Sequence, residues 1–273
     1  MSGGADSSAL LVLAVGAGLR VTAVHVDHGL RPGSAHEADV VRATAERFGA
    51  AFRAERVELA DGPNLEERAR EARLAVLPPD VLTGHTADDQ AETVLLNLLR
   101  GAGTRGISAM RPGHRRPLLA LRRSDTEALC AAYEVQLVHD PSNRDPRHLR
   151  NRVRHELLPL MNELASRDLT PLLTRQADLA RDESDLLDAL AAVLDPTDAR
   201  ALAAAPAPLA RRALRQWLGT THPPDAATVE RVLAVARGES VATEVGAGRR
   251  VERSRQRLSL VSPPAPTNLA GSE

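Results

Sequence analysis

Ser2-Gly3-Gly4-Ala5-Asp6-Ser7 runs without a break into Ser8-Ala9-Leu10-Leu11-Val12-Leu13, so that a polar, glycine-rich loop opens directly onto an apolar helical run. Adjacent glycines reach backbone conformations closed to other residues, and their amides, with the Ser2 and Ser7 hydroxyls, are able to converge on one anion. The helix behind the loop adds unpaired N–H groups and the positive end of its dipole at the same place. This is the pattern of a phosphate cradle. The plain alternative is a flexible Ser/Gly terminus that caps a helix, and motifs further along decide between the two.

Outward from the loop, strands and helices alternate. Arg20 to Asp27 has the β-branched, apolar character of a buried parallel strand and ends in the turn-rich segment His28 to Ser34. Ser34 with Glu37 opens a helix as a capping box, Ala51 to Leu59 reads as a strand, and Asn64 to Leu77 as an amphipathic helix capped by Asn64. Asp80 to Thr83 is expected to be a short strand and Thr86 to Arg100 a helix. Such alternation calls for an α/β domain with a parallel sheet and a ligand site at the C-terminal ends of its strands. His25 and Asp27 share one face of the first strand near that end, which suits contact with a nucleotide better than a tetrahedral metal site. Beyond Pro159 the strand signals stop, and helices are expected near 169–194, 206–218 and 225–237. Val241 to Val261 suggests a terminal hairpin with arginines at its turn. The division that follows is an α/β domain over 1–158, a smaller, mainly helical domain over 159–262, and a disordered tail over 263–273.

Composition narrows the function classes. Hydrophobic residues make up 43% of the 273 residues and aromatics only 1%, so the core must be built from Leu, Val and Ala. There is no lysine: all 35 basic residues are arginine, set against 36 acids. A formal charge of −1 carries no global nucleic-acid signature, so any such surface must be a local patch. Cys130 is the single cysteine, which excludes an intrachain disulfide and a cysteine-cluster metal site and agrees with a reducing compartment. Ala9 to Leu19 has the length of a signal-peptide core, but Asp6 and no basic residue precede it. A cytoplasmic protein without membrane association is expected.

The densest chemistry lies in Gly84-His85-Thr86-Ala87-Asp88-Asp89-Gln90-Ala91-Glu92-Thr93. With Thr86 as N-cap, the three acids fall in the first two turns of a helix, where dipole compensation alone is worth about 0.3–1 kcal/mol each. That explains the acids but not their convergence on one rim beside His85. Asp89 and Glu92, expected to be exposed at this helix start, offer hard oxygen ligands of the kind Mg²⁺ takes together with phosphate oxygens. Gly101 to Gly106 is a literal G-x-G-x-x-G, but it follows a helix rather than a strand, so the dinucleotide reading is discarded. Arg100 and Arg105 around it are expected over the nucleotide. From Arg100 to Arg123 there are seven arginines and no acid, and Arg150 and Arg154 lie one helical turn apart in a second basic run; both are candidate phosphate or RNA patches.

Taken in order, SGGADS, HVDHGLRPGSAHEA, TGHTADDQAETVLLNLLRGAGTRG, RPLL and DPSNRDPRHLRNRVRHELLP resemble the motifs of the tRNA(Ile)-lysidine synthetases, a family of PP-loop ATPases, over residues 2 to about 160. The resemblance implies a two-step ligation. ATP adenylylates the C2 oxygen of the wobble cytidine in isoleucine tRNA with a CAU anticodon, and the ε-amine of free L-lysine then displaces AMP. It implies ATP contacts from Ser2, Gly3, Gly4, Ala5, Asp6 and Ser7 with His25, Asp27, Arg100 and Arg105. It assigns catalysis to Asp6, His85, Asp89, Glu92, Arg150 and Arg154, with Mg²⁺ on Asp6, Asp89 and Glu92. Family members carry an apolar strand before the loop, whereas Met1 directly precedes Ser2 here; a start codon further upstream is expected. A catalytically degenerate nucleotide- or tRNA-binding protein, and another PP-loop adenylating ligase, stand as the alternatives.

Overall fold

The computed structural model describes residues 1–27, 34–57, 65–138, 140–219 and 224–262. The expected turn at 28–33, the Asn64 cap, the Ser34 side chain and the tail at 263–273 lie outside the described residues. The chain separates into two compact units, Met1–Ala180 and Arg181–Glu273. The division falls inside a continuous helix, Thr170–Ala191, rather than at 158/159. Pro159 does not mark a linker, because the backbone stays helical on both sides of it, over 149–165.

In the first unit the glycine-rich loop leads into α1 (Ala5–Gly16), followed by β1 (Thr22–Asp27), α2 (Ser34–Arg47) and β2 (Ala51–Arg56). β1 and β2 pair in parallel, from Thr22 opposite Ala51 to Asp27 opposite Arg56, and α2 is the crossover that parallel pairing requires. Leu11 and Val12 of α1 pack with Ala23, Ala45 and Ala50, with Phe48 and Phe52 partly buried beside them. Small side chains allow this close approach in a chain nearly without aromatics.

The expected strand at Asp80–Thr83 does not form. Two prolines, Pro78 and Pro79, remove amide donors just before it, and the extended backbone bonds instead to a loop, with the Thr83 amide donating to Arg115 O at 2.9 Å. The segment nevertheless positions the site. A Cβ on Gly84 would sit 2.6 Å from the Asp6 carbonyl oxygen, so only glycine lets this backbone reach the loop.

The remainder of the unit is helical: α3 (Leu65–Val76), α4 (Ala87–Leu99), α5 (Thr104–Ile107), α6 (Arg123–Ala132), α7 (Leu149–Arg152), α8 (Leu158–Ala165) and α9 (Thr170–Ala191). Between α7 and α8 the helix widens into a π turn at Val153–Leu157, closed by the Leu158 amide on Val153 O. Pro159 accounts for the widening, since its ring crowds the carbonyl four residues earlier and it offers no N–H to a regular ladder. Val153 and Leu158, five apart, therefore both land on Leu95 and Leu96 of α4.

The second unit contains α10 (Ala199–Ala204), α11 (Ala207–Leu218) and α12 (Ala226–Arg237), then β3 (Ala242–Gly246), β4 (Arg249–Ser254) and β5 (Arg257–Val261). Asp225 caps α12 by accepting from the Thr228 amide at 2.7 Å, and Gly238 ends it at φ +83°. The expected hairpin is a three-stranded antiparallel meander in the order β3-β4-β5. Its middle strand reads Arg-Arg-Val-Glu-Arg-Ser, and Val251 is its single apolar residue.

Candidate active site

The loop is held in place by close packing and local hydrogen bonds. Gly3 takes φ +80°, and a side chain there would meet Val138 Cγ2 at 2.5 Å; the Val138 amide meanwhile donates to Gly3 O at 3.0 Å. Gly4 is the N-cap of α1, the Ser7 hydroxyl donates to Gly4 O at 3.0 Å, and the Ser2 and Ser7 hydroxyls lie 3.3 Å apart. Asp6 sits in the first turn of α1. Its Oδ1 accepts from the Thr126 hydroxyl, and Arg123 Nε stands 3.6 Å from its Oδ2. Burial pushes the Asp6 carboxyl above its ordinary value, with Thr126 and Arg123 offsetting only part of that effect.

Asp89 and Glu92 are not the exposed rim that their place at a helix start suggested: they are 7% and 1% exposed. The cover comes from α6 and from the widened turn after α7. Asp89 Oδ2 accepts from the Thr86 amide at 2.9 Å and the Thr86 hydroxyl at 3.1 Å, which closes the start of α4. Asp89 Oδ1 accepts from Arg123, Arg150 and Arg154 at 3.1, 3.1 and 3.3 Å. Glu92 Oε1 accepts from Arg154 Nε at 2.6 Å and from Arg123 at 3.3 Å; its Oε2 accepts from Arg150 Nε and Arg154 at 2.9 Å each. For Asp89, burial works against the charge, but the Thr86 amide and the three guanidiniums outweigh it and hold the carboxyl below its ordinary value. Asp88 points elsewhere, to Arg122 Nε at 3.1 Å, its NH2 at 3.0 Å and the Arg123 amide at 2.7 Å. Arg122 also pairs with Asp168, just ahead of α9.

This arrangement decides which carboxylates suit a hard cation. Each oxygen of Asp89 and Glu92 already accepts from at least two donors, so Mg²⁺ would have to displace guanidiniums, and the expected metal role of this pair does not fit. Among the described residues no group of three or more His, Cys, Asp or Glu is placed to hold a metal. Asp6, with one hydroxyl donor and one longer guanidinium contact, keeps an oxygen that suits a cation shared with phosphates.

His85 stands just before α4, its Nδ1 2.9 Å from the Thr83 hydroxyl. His25 is buried on β1; its Nδ1–H donates to Met1 O at 3.0 Å, and its Nε2 has no partner among the described residues. Asp27 ends β1, half-buried. Arg100 and Arg105 are not brought to the site. Both are exposed at the far end of α4, about 16 Å of helix rise from Asp89, in a loop that Asn97 ties down through Gly106 O at 2.7 Å. In the sequence Arg122 and Arg123 stand out only as members of a basic patch, and Thr126 does not stand out at all. One signal was available: Arg123 is the first residue of a helix, where the dipole disfavours a cation unless acids from elsewhere meet it.

The sequence has relatives among known proteins. The model of the PP-loop domain family matches residues 1–161, and that of the TilS substrate binding domain matches residues 198–259. The tRNA(Ile)-lysidine synthase of Nocardia farcinica is 45% identical over 234 residues, which are 80% of this chain and 74% of that protein. That of Mycolicibacterium paratuberculosis is 45% identical, covering 80% and 72%. That of Rhodococcus erythropolis is 42% identical over 237 residues, covering 80% and 72%. The PP-loop and TilS substrate binding domain matches, together with 42–45% identity over 80% of the chain, lead to one assignment: the chain belongs to the tRNA(Ile)-lysidine synthase family.

Proposed function

We propose that this chain uses ATP to join free lysine to the wobble cytidine of isoleucine tRNA with a CAU anticodon, through an adenylylated tRNA intermediate. The observation that carries the reading is the convergence of the Ser2–Ser7 cradle, Asp6 and the arginines of α6 and α7 at one place within the PP-loop match. The TilS substrate binding domain match in the second unit supports tRNA as the partner. In the first step the cytosine C2 oxygen attacks the α-phosphorus, and the bond to the β-phosphate bridging oxygen breaks to release pyrophosphate. In the second the lysine ε-amine attacks C2, the C2–O bond breaks, AMP leaves and the amine nitrogen gives up a proton.

Negative charge grows on the departing pyrophosphate, and the amides of the Gly3–Ser7 turn, with the α1 dipole, are fixed in place to meet it without reorganisation. Asp6 is the residue suited to hold Mg²⁺, which when bound screens the phosphate oxygens. Arg150 and Arg154, each partly exposed, complete the basic wall of the site, and His85, oriented by Thr83, lies beside the reacting groups. Arg111 and Arg115, exposed in a stretch with no acid, and Arg116 suit a tRNA backbone. Single-stranded anticodon bases splay readily into a pocket, which is how sequence-specific RNA readers usually work. Among the described residues no helix is long and apolar enough to cross a membrane; a place in the cytoplasm beside tRNA follows from the activity proposed.

The test is reconstitution. Purified chain supplied with ATP, Mg²⁺, lysine and the cognate tRNA transcript should release AMP and pyrophosphate and yield lysidine detectable by nucleoside mass spectrometry. Release that proceeds equally well without the tRNA would overturn the assignment.

A further inference from the structure

The chain has no lysine, so any side-chain cation laid against a polyphosphate here is a guanidinium or an imidazolium. Among the described residues, Arg123 is the arginine that touches both halves of the site. Its Nε stands 3.6 Å from Asp6 of the cradle, while its NH2 and NH1 lie 3.1 and 3.3 Å from Asp89 and Glu92. Its backbone is pinned independently, by the Arg123 amide on Asp88 at 2.7 Å and by the Thr126 hydroxyl that bonds both Asp6 and Arg123 O. The side chain is 22% exposed, so a ligand in the cradle has access to it.

Its contacts to the carboxylates are also redundant. Without Arg123, Asp89 Oδ1 keeps Arg150 and Arg154, and Glu92 Oε1 keeps Arg154 Nε at 2.6 Å. Arg123 is therefore able to turn toward a phosphate without stranding a buried acid, whereas Arg150 and Arg154 carry the remaining donors to Glu92. We propose that Arg123 is a further catalytic residue that donates to pyrophosphate oxygens as the α–β phosphate bond breaks, and that Asp89 and Glu92 are positioning residues that aim it rather than metal ligands. The guanidinium stays protonated throughout, the breaking bond's electron pair leaves with pyrophosphate, and no bond to Arg123 forms. The proposal rests on the ATP-cleaving function given above.

The experiment is calorimetric titration of the full chain with magnesium pyrophosphate and, separately, with AMP. Arg123→Gln is expected to weaken pyrophosphate binding about 30-fold, the range of a charge-assisted hydrogen bond, to leave AMP binding unchanged, and to be partly rescued by Arg123→Lys. Parental pyrophosphate affinity in folded Arg123→Gln overturns the proposal, as does an equal loss for AMP, which marks a general distortion. Should Arg123→Gln fail to fold, the charge-balanced double variant Arg123→Gln/Glu92→Gln takes its place in both titrations: weakened pyrophosphate binding with unchanged AMP binding supports the proposal, and parental pyrophosphate affinity or an equal loss for AMP overturns it. For the positioning role, Mn²⁺ titrated into the complex with a non-hydrolysable ATP analogue should bind Glu92→Gln as it binds the parent and bind Asp6→Asn more weakly; a Glu92→Gln loss matching that of Asp6→Asn overturns it. Neither tRNA nor lysine enters these titrations, so a chain that makes no lysidine still decides the proposal separately.

Discussion

Leu202, Leu214, Val232 and Leu233 of the second unit are exposed by no more than 1% and pack within an aliphatic core, whereas Glu92, exposed to the same 1%, is surrounded by guanidiniums. Equal burial has been reached in opposite ways. Each aliphatic side chain gains about 25 cal/mol per Å² withdrawn from water, and small repacking costs little of that. The charged cluster gains nothing from burial, because desolvation roughly cancels its Coulombic attraction, while loss of a carboxylate leaves the guanidiniums around it uncompensated. The aliphatic core of the second unit carries cohesion, and the charged cluster, which contributes so little net stability, is where we place the function.

The comparison is most directly broken from the aliphatic side. Leu214→Ala should cost about 3–4 kcal/mol, because a fully buried leucine leaves a cavity as well as lost transfer energy; a urea midpoint unchanged from the parent would show that α11 repacks freely. Glu92→Gln should cost less, about 2 kcal/mol, because the guanidiniums around it are partly solvated, yet abolish lysidine formation completely. If its melting falls as far as that of Leu214→Ala, the cluster is a structural core after all. The smallest effect is in acid. Asp88 and Asp89 are held below their ordinary 3.8, so their contribution to stability is complete above that value and is lost as pH falls through their lower folded values. Asp6, held above 3.8, acts oppositely: its protonated form favours the fold, and that contribution is lost as pH rises through its raised value. Asp88→Asn should therefore flatten the decline in melting temperature from about pH 5 downward, and a parental slope would mean that the Arg122 pair is not felt in folding.

What was legible in the sequence was local. The cradle is a run of consecutive residues, Thr86 is a cap beside its own helix, and Arg150 and Arg154 are four apart, so spacing alone finds them. The burial of Asp89 and Glu92 was not legible, because the cover is Arg123, some thirty residues away, and no local pattern says that the start of α6 will lie across the start of α4. The same holds for β4, which has one inward apolar residue, Val251, and so shows no alternation to read. Arg100 and Arg105 misled for a related reason: glycines beside arginines look like a phosphate loop wherever they fall, and only the length of α4 shows that these are at its wrong end. The Val153–Leu158 pair repeats at five, a period that a search at 3.6 passes over.

That five-residue repeat has a consequence for how the chain tolerates change. A helix containing one wide turn is two regular helices whose faces are out of phase by about one residue, or about 100°. Deleting a single residue inside the wide turn, such as Glu156, would put Val153 and Leu158 four apart, the spacing at which a regular helix keeps two side chains on one face, so that both still meet Leu95 and Leu96. Loss of one residue from the regular helix beyond Leu158 has no such outlet and would turn Met161 about 100° from the face it shares with Leu158, so tolerance of shortening is confined to the wide turn, where the exposed His155 and Glu156 also stay free to be substituted.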